Sequence, residues 1–143
     1  MFMGEYKHTI DAKGRLIVPA KFRDLLGEVF VVTKGLDGCL FAFADEDWKK
    51  LEEKLRALPL SDKAARKFSR FFLAGAGQVE TDKQGRILIP GGLRTFAGLE
   101  KDVTLVGVGN RVEIWNSDKW EVNDTYDEDE VDEMAEHMSG LGI

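Results

Sequence analysis

The chain has 143 residues, a formal net charge of −6 and 43% hydrophobic residues. A chain of this length can bury roughly 70% of the surface that its unfolded form exposes, so it can fold without disulfides. The single cysteine, Cys39, cannot form an intramolecular disulfide, and no Cys or His pair has metal-ligand spacing, which argues against structural zinc. No run of about 18 apolar residues could span a bilayer, and the N-terminus lacks a signal-peptide pattern. We therefore expect a cytoplasmic protein with no membrane partner.

The charge is divided unevenly along the chain. Residues 121–143 contain nine acidic residues and no basic ones, whereas residues 1–120 contain 20 basic and 17 acidic residues. A weakly basic body with an acidic tail indicates either an interaction tail or nucleic-acid binding by the body. A solvated acidic face explains the tail equally well.

One short motif occurs twice. Residues 11–19 read DAKGRLIVP and residues 82–90 read DKQGRILIP, with Asp, Gly, Arg and Pro matched at an offset of seventy-one positions. A single copy would be an ordinary turn followed by a short strand. Two copies predict a duplicated chain with halves at residues 1–76 and 77–143.

The predicted elements of the first half begin with a strand over residues 6–11, where apolar and polar residues alternate. Residues 11–15 predict a hairpin turn that projects from a sheet edge, and residues 16–18 the strand that follows it. The remaining expected elements are a helix after Pro19, strands at 29–33 and 39–43, a helix from an Asp45 N-cap to about Leu58, and a helix capped by Ser61.

The second half is expected to repeat this order. Residues 29–32 align with 103–106 after a small insertion, and Trp48 aligns with Trp120 at an offset of seventy-two. Apolar residues recur at helical spacing in the acidic tail, which predicts a last helix that packs by its apolar side. These apolar residues are Val131, Met134, Ala135 and Met138.

The sequence gives little support for catalysis. His8, His137 and Cys39 are not part of a nucleophile–base motif, and no phosphate-binding glycine loop follows a strand. Asp11 and Asp82 could in principle share a divalent metal, but each lies four residues before an arginine that would repel the ion. We therefore expect no enzymatic activity, cofactor, metal or small-molecule substrate.

The repeated loops carry residue types suited to nucleic acid. An arginine at a hairpin tip can chelate the O6 and N7 edge of guanine or clamp a phosphate, while lysines and loop amides fix the register on phosphates. The alternative is that each aspartate pairs with its arginine only to hold the turn, and the two interpretations are compatible. The candidate contact residues are Arg15, Lys13, Arg86 and Lys83, and the candidate loop-shaping residues are Asp11, Gly14, Asp82 and Gly85.

The two loops differ in charge. In the second copy Gln84 stands where the first copy has Lys13, and the lysine of the second loop lies one position earlier, at Lys83. We therefore expect the first half to be the more basic of the two and to contribute more to nucleic-acid binding. Arg23 and Arg94, also matched at the offset of seventy-one, are candidates for packing or salt bridges between the halves. A basic row on the second long helix is either another electrostatic patch or its solvated side. This row consists of Lys63, Arg66, Lys67 and Arg70.

These motifs carry a resemblance to a known family. Two Asp-x-x-x-Arg motifs, each leading into an apolar strand and a proline, together with the N-terminal run Met-x-x-Gly-Glu-Tyr-x-His-x-Ile-Asp-x-Lys-Gly-Arg, resemble the bacterial MraZ family over essentially the whole chain. The family's motif falls on Asp11 and Arg15, and again on Asp82 and Arg86.

The resemblance implies a mainly β fold with flanking helices (α+β), a duplicated swapped-hairpin, double-split β-barrel of the AbrB/MazE type. Residues 1–76 would be the first SpoVT-AbrB-like half, and residues 77–143 the second, with the acidic tail. The resemblance also implies an octamer-like, ring-shaped homo-oligomer that binds double-stranded DNA and is associated with the nucleoid. Such a protein regulates transcription of the division and cell-wall gene cluster from short G-rich direct repeats upstream of its own operon.

A protein-interaction module is the competing function. In that case the acidic tail would engage a basic partner, and deletion of residues 124–143 would abolish the interaction. A DNA-binding protein should keep or strengthen its binding after the same deletion.

Overall fold

A computed structural model describes residues 1–143 and contains eight strands and six helices. In chain order they are β1 (Phe2–Thr9), β2 (Arg15–Ile17), α1 (Ala20–Leu26), β3 (Val29–Lys34), β4 (Leu40–Phe43), α2 (Asp45–Arg56), α3 (Lys63–Gly75), β5 (Gly77–Glu80), β6 (Arg86–Leu88), α4 (Gly91–Ala97), β7 (Asp102–Gly109), β8 (Val112–Asn116), α5 (Ser117–Asn123) and α6 (Glu128–Ser139). None of the helices is both long and apolar enough to cross a membrane.

The strands form one large and one small antiparallel sheet. The large sheet has the order β1-β7-β8-β4-β3-β5, and the small sheet is the pair β2-β6, which we call the ribbon. Because β1 and β5 remain edge strands, hydrogen bonding does not close the large sheet into a barrel. The predicted fold class, mainly β with flanking helices, is confirmed.

The first and second parts of the chain are interleaved in the large sheet. Strand β1 pairs with β7, and β5 pairs with β3, so the opening strand of each repeat lies beside a strand of the other. Thr9 is opposite Asp102, and Glu80 is opposite Val29. Thr9 and Glu80 occupy the same position in the two repeats, at the offset of seventy-one. Their strand partners must therefore also correspond, which matches Val29 with Asp102 at an offset of seventy-three. The predicted alignment of Val29 with Val103 is therefore wrong by one residue.

The large sheet is covered on both faces. The larger core cluster lies between the sheet, the ribbon, α1 and α4, and the smaller one lies under α2, α3 and α5. Neighbouring residues of one strand supply the two clusters because successive side chains of a strand point to opposite faces. Phe30 and Val32, for example, belong to the larger cluster, whereas the Thr33 hydroxyl donates to the Phe72 carbonyl of α3 at 2.7 Å.

The turn between β1 and β2 corrects the predicted hairpin. Only one bridge, between Ile10 and Leu16, connects these strands, and β2 pairs along its length with β6 instead. The apolar run at residues 16–18 predicts a strand but does not encode its partner. The loops therefore project from the ribbon and not from an edge of the large sheet.

The starts of two helices also differ from the prediction by one residue. Asp45 is the first residue of α2, and its N-cap is Ala44, without a side-chain hydrogen bond. Asp62 caps α3 in place of Ser61, and its carboxylate accepts hydrogen bonds from two amides of the first helical turn. A carboxylate next to the predicted cap satisfies the free amides at the helix start in the same way as the Ser61 hydroxyl would.

The predicted helix of the acidic tail exists as α6, but it does not pack within the chain. None of its residues is buried, and the side chains of Val131 and Met134 are 47% and 46% exposed. The prediction of intramolecular packing is therefore wrong for this helix.

Candidate nucleic-acid interface

Asp11 organises the first loop. Its Oδ1 accepts hydrogen bonds from the amides of Lys13 at 3.0 Å and Arg15 at 2.9 Å, and its Oδ2 accepts one from Arg15 Nε at 2.6 Å. The Asp11 amide donates to the Arg15 carbonyl at 3.0 Å, and the Gly14 amide donates to the Asp11 carbonyl at 3.0 Å. One aspartate thus fixes both the backbone of the turn and the arginine that leaves it.

The second loop has the same hydrogen bonds. Asp82 Oδ1 accepts from the amides of Gln84 and Arg86, each at 2.9 Å, and Oδ2 accepts from Arg86 Nε at 2.9 Å. The Asp82 amide donates to the Arg86 carbonyl at 2.8 Å, and the Gly85 amide donates to the Asp82 carbonyl at 3.0 Å. The structure therefore brings the sequence-predicted residues of each loop into two matched turns.

The same contacts stabilise the charged form of each aspartate. The hydrogen bond from the Arg15 backbone amide is the largest cause that lowers the pKa of Asp11, and the Arg15 guanidinium lowers it further. The pKa of Asp82 is lowered in the same way by the amide and guanidinium of Arg86. Both carboxylates are ionised at neutral pH and remain acceptors for their arginines.

The arginines keep one end free. In each guanidinium, Nε donates to the aspartate, while neither terminal nitrogen donates to an acceptor of the chain. The Arg15 and Arg86 side chains are 38% and 29% exposed. Each aspartate therefore orients a guanidinium whose two Nη groups remain able to bind an external acceptor.

Both arginines lie on the same outward face of the ribbon. Arg15 is paired with Leu88, and Ile17 with Arg86, whereas Leu16 and Ile87 alternate with them and point into the core. Arg15 and Arg86 are diagonal neighbours in this register, which places their Cα atoms about 7–8 Å apart. The outward face, which we call the ribbon face, consists of Arg15, Ile17, Arg86 and Leu88.

Two glycines let arginines from the opposite repeat pack against the loops. Gly14 has φ 88°, and a Cβ at this position would lie 2.8 Å from Arg94 Cζ. Gly85 has φ 78°, and its Cβ would overlap Arg23 Nη1. Arg94 also donates from Nε to the Ile89 carbonyl at 3.0 Å. The predicted packing of Arg23 and Arg94 between the repeats is confirmed, but neither forms a salt bridge.

Backbone hydrogen bonds connect the loops in the same crossed manner. The Val18 amide donates to the Gly85 carbonyl, and the Ile89 amide donates to the Gly14 carbonyl, both at 2.9 Å. Each loop is thus held by the strand that leaves the other loop, and the two loops form one structural unit.

Exposed lysines complete the surface near the ribbon face. Lys13 and Lys83 are both exposed at the loop tips, one residue before Gly14 and two residues before Gly85 respectively. Gln84, which matches Lys13 in the repeat, is exposed as well. Each tip therefore presents one lysine, at non-equivalent positions.

Sequence reasoning missed two apolar members of the ribbon face. Ile17 and Leu88 are 44% and 59% exposed, although each lies in an apolar run that predicts burial. The signal that could have found them is the repeat itself, because the two residues are matched at the offset of seventy-one. Matched positions that alternate with buried residues of the same strand must share the outward face.

The other reactive side chains lie apart from the loops. Cys39 is buried, its Sγ donates to the Leu36 carbonyl at 3.2 Å, and burial raises the pKa of the thiol. The protein contains no group of three or more His, Cys, Asp or Glu residues placed to hold a metal ion.

The fold and the loops define a duplicated protein that presents two matched basic turns on one surface. A protein-family model described as "MraZ protein, putative antitoxin-like" matches this chain twice, over residues 1–71 and 72–140. The chain therefore belongs to the MraZ family.

Similar proteins from several bacteria carry one name. "Transcriptional regulator MraZ" of Acetivibrio thermocellus is 59% identical over 146 residues, covering 100% of both chains. The protein of the same name from Thermoanaerobacter sp. (strain X514) is 58% identical over 143 residues, also covering 100% of both. That from Lachnoclostridium phytofermentans is 59% identical over 143 residues, covering 100% of this chain and 99% of its own. These relatives are named as regulators and not as enzymes.

Proposed function

We propose that this protein is a sequence-specific DNA-binding transcriptional regulator and that the ribbon face reads the DNA. The observation that carries the proposal is the pair of arginines, each oriented by an aspartate, with free Nη groups on one outward surface. The names of the relatives support regulation of transcription. A merely structural Asp–Arg pair would not require both arginines to face outward on the same ribbon.

The dimensions of the ribbon suit the major groove. That groove is about 12 Å wide and admits a two-stranded β-ribbon. Two arginines about 7–8 Å apart span roughly two base steps of 3.4 Å, so Arg15 and Arg86 can each reach a guanine in the same groove. Ile17 and Leu88, which lie between them, can contact thymine methyl groups, and Lys13 and Lys83 can contact phosphates. We propose G-rich direct repeats as the target for this reason.

We further propose that several copies act together as an octamer-like ring. One ribbon supplies only a few base and phosphate contacts, so a single copy should bind weakly. Joining several copies raises the effective concentration at repeated sites and can multiply affinity by about 10² or more. In this proposal the protein acts at the nucleoid, in the cytoplasm, and its target is the region upstream of its own division and cell-wall operon.

Our interpretation of the fold follows the same proposal. We take residues 1–76 and 77–143 as two SpoVT-AbrB-like halves of a swapped-hairpin, double-split barrel. The pairing of β1 with β7 and of β5 with β3 supports this interpretation, as do the crossed contacts of Arg23 and Arg94.

The test compares three variants on a fragment of the protein's own upstream region and on a scrambled fragment. Arg15→Ala should abolish the preference for the specific fragment because a bidentate base contact is lost. Lys13→Ala should weaken binding to both fragments and lower the slope of log affinity against log salt by about one. Lys50→Ala, at an exposed position of α2 on the opposite side of the large sheet, is the control and should bind as the wild type does. Unchanged selectivity of Arg15→Ala, with the assembly intact by light scattering, would contradict the proposal.

The exposed acidic helix favours a second function, in which the tail recruits another protein. Deletion of residues 124–143 separates the two, because the preference for the specific fragment over the scrambled one depends on the ribbon face and should persist, while recruitment of a basic partner should be lost. A deletion that leaves recruitment intact would argue against this second function.

A further inference from the structure

An apolar groove lies between α2 and α3, on the side of these helices that the chain leaves uncovered. It encloses about 450 Å³ and is lined by Leu55, Leu58, Leu60 and Leu73, among others. The side chain of Leu60 is 83% exposed. Apolar side chains that project from a helix pair and remain exposed in this way are typical of an interaction site.

Three arginines border this groove, and none is firmly neutralised. Arg56 is 3.7 Å from Glu52 in an exposed pair, and Arg66 donates to a backbone carbonyl, that of Leu60, at 3.0 Å. Arg70 has no ion pair. An occupant of the groove should therefore be apolar on one side and acidic on its flanks.

Helix α6 has this pattern. Its twelve residues are about 18 Å long, and an apolar stripe at helical spacing runs along one side. The stripe consists of Val131, Met134, Ala135 and Met138, and the rest of the helix carries Glu128, Asp129, Glu130, Asp132, Glu133 and Glu136. No residue of α6 is buried in the single chain, so both the stripe and the acids are available.

Helix α5, which precedes α6, ends at a distance from the groove of its own chain. Trp120 Nε1 donates to Glu5 Oε2 at 2.8 Å, and Lys7 Nζ is 3.8 Å from Glu121, so α5 ends beside β1. Helices α2 and α3 pack on β3, which is four strands from β1 and hence about 19 Å away. Residues 124–127, between α5 and α6, span at most about 14 Å. In the structure α6 does not occupy the groove of its own chain, since none of its residues is buried and Leu60 is 83% exposed. The groove and the stripe are therefore both free to meet in a second copy, whose charges are complementary.

We propose that α6 docks by its apolar stripe in the α2–α3 groove of a second copy of this chain, with its acids on Arg56, Arg66 and Arg70. The contact joins different surfaces of the two copies, and such heterologous contacts close into rings or extend into filaments. The inference rests on the proposed self-assembly and is independent of DNA binding.

The test uses two variants that break opposite sides of this contact. Met134→Glu places a charge in the stripe, and Leu60→Glu places one in the groove. Both positions are exposed in the single chain, so neither change should unfold it. Light scattering should show that each variant falls to the mass of one chain, 16.0 kDa. Val122→Glu, at a 77% exposed apolar position outside the stripe, is the matched control and should assemble like the wild type.

Mixing the two variants identifies the contact. Met134→Glu keeps an intact groove and Leu60→Glu keeps an intact α6, so an equimolar mixture should form a one-to-one complex of twice the single-chain mass. If the two variants stay monomeric when mixed, or if each alone assembles like the wild type, the docking is overturned. A wild-type protein that is itself monomeric would overturn both the docking of α6 and the proposed ring. Selective DNA binding is tested separately with Arg15→Ala, and its outcome does not depend on this result.

Discussion

Gly85→Ala is the substitution that most directly tests the crossed packing of the two loops. Gly85 has φ 78°, and a Cβ there would overlap Arg23 Nη1. An L-residue in the left-handed region costs about 1–2 kcal/mol, and displacement of the guanidinium adds to this cost. We expect the free energy of unfolding to fall by about 2 kcal/mol or more.

The assay is urea unfolding of Gly85→Ala alone and together with Arg23→Ala. In the Arg23→Ala background the overlap is removed, so only the backbone cost of about 1–2 kcal/mol should remain, and the two substitutions should be non-additive. Gly92→Ala is the control, since Gly92 lies in α4 and has nothing near its Cβ position. It should stabilise the protein by about 0.5–1 kcal/mol. Strict additivity of Gly85→Ala and Arg23→Ala would refute the crossed packing.

Three further predictions concern charge and burial. The pKa of Asp11 is lowered in the folded chain, so its contribution to stability is complete above the unfolded pKa of about 3.9 and is lost as pH falls through the folded value. Asp11→Asn should therefore make the urea midpoint less dependent on pH below about pH 4. Cys39 is buried with a raised pKa, so its reaction with a disulfide reagent should be negligible in the native protein and should follow global unfolding. Arg111→Ala should cost about 2 kcal/mol in a thermal or urea melt, because Glu113 would lose the guanidinium that donates to it at 2.9 Å and 3.1 Å.

Each of these predictions has an internal check. A parallel pH dependence of wild type and Asp11→Asn would argue against the loop hydrogen bonds as a source of acid sensitivity. Fast labelling of Cys39 in native buffer would contradict its burial. For the buried carboxylate, adding Glu113→Gln to Arg111→Ala should restore part of the lost free energy of unfolding, because a neutral amide costs less to bury without the guanidinium than a carboxylate does. If the double variant is no more stable than Arg111→Ala, the pairing of Arg111 with Glu113 is contradicted.

Much of the loop geometry could be predicted from the sequence because it is local. The carboxylate of Asp11 reaches amides two and four residues away, and Gly14 permits the positive φ that the turn requires. The same spacing at Asp82 and Gly85 predicts the same turn. The local alternation of apolar residues likewise predicted most of the strands, although a cap could move by one residue without changing its chemistry.

The pairing of distant segments could not be predicted in this way. A three-residue strand at 15–17 can pair with any adjacent strand edge, and only the folded chain shows that its partner is residues 86–88. The exposure of Ile17 and Leu88 follows from that pairing, because burial depends on which face meets the core. The failure of α6 to pack has a similar cause, since an amphipathic pattern specifies an apolar side but not the surface that will cover it.

The sequence by itself determined that the protein is a duplication with two identical Asp-x-x-x-Arg turns, because each turn is closed by hydrogen bonds within five residues. Only the tertiary structure decided that Arg15 and Arg86 share one face, that Arg23 and Arg94 cross to the opposite loops, and that the strands of the two repeats interleave. These contacts join residues between 45 and 107 positions apart, and their geometry depends on how the whole core packs and not on any local pattern.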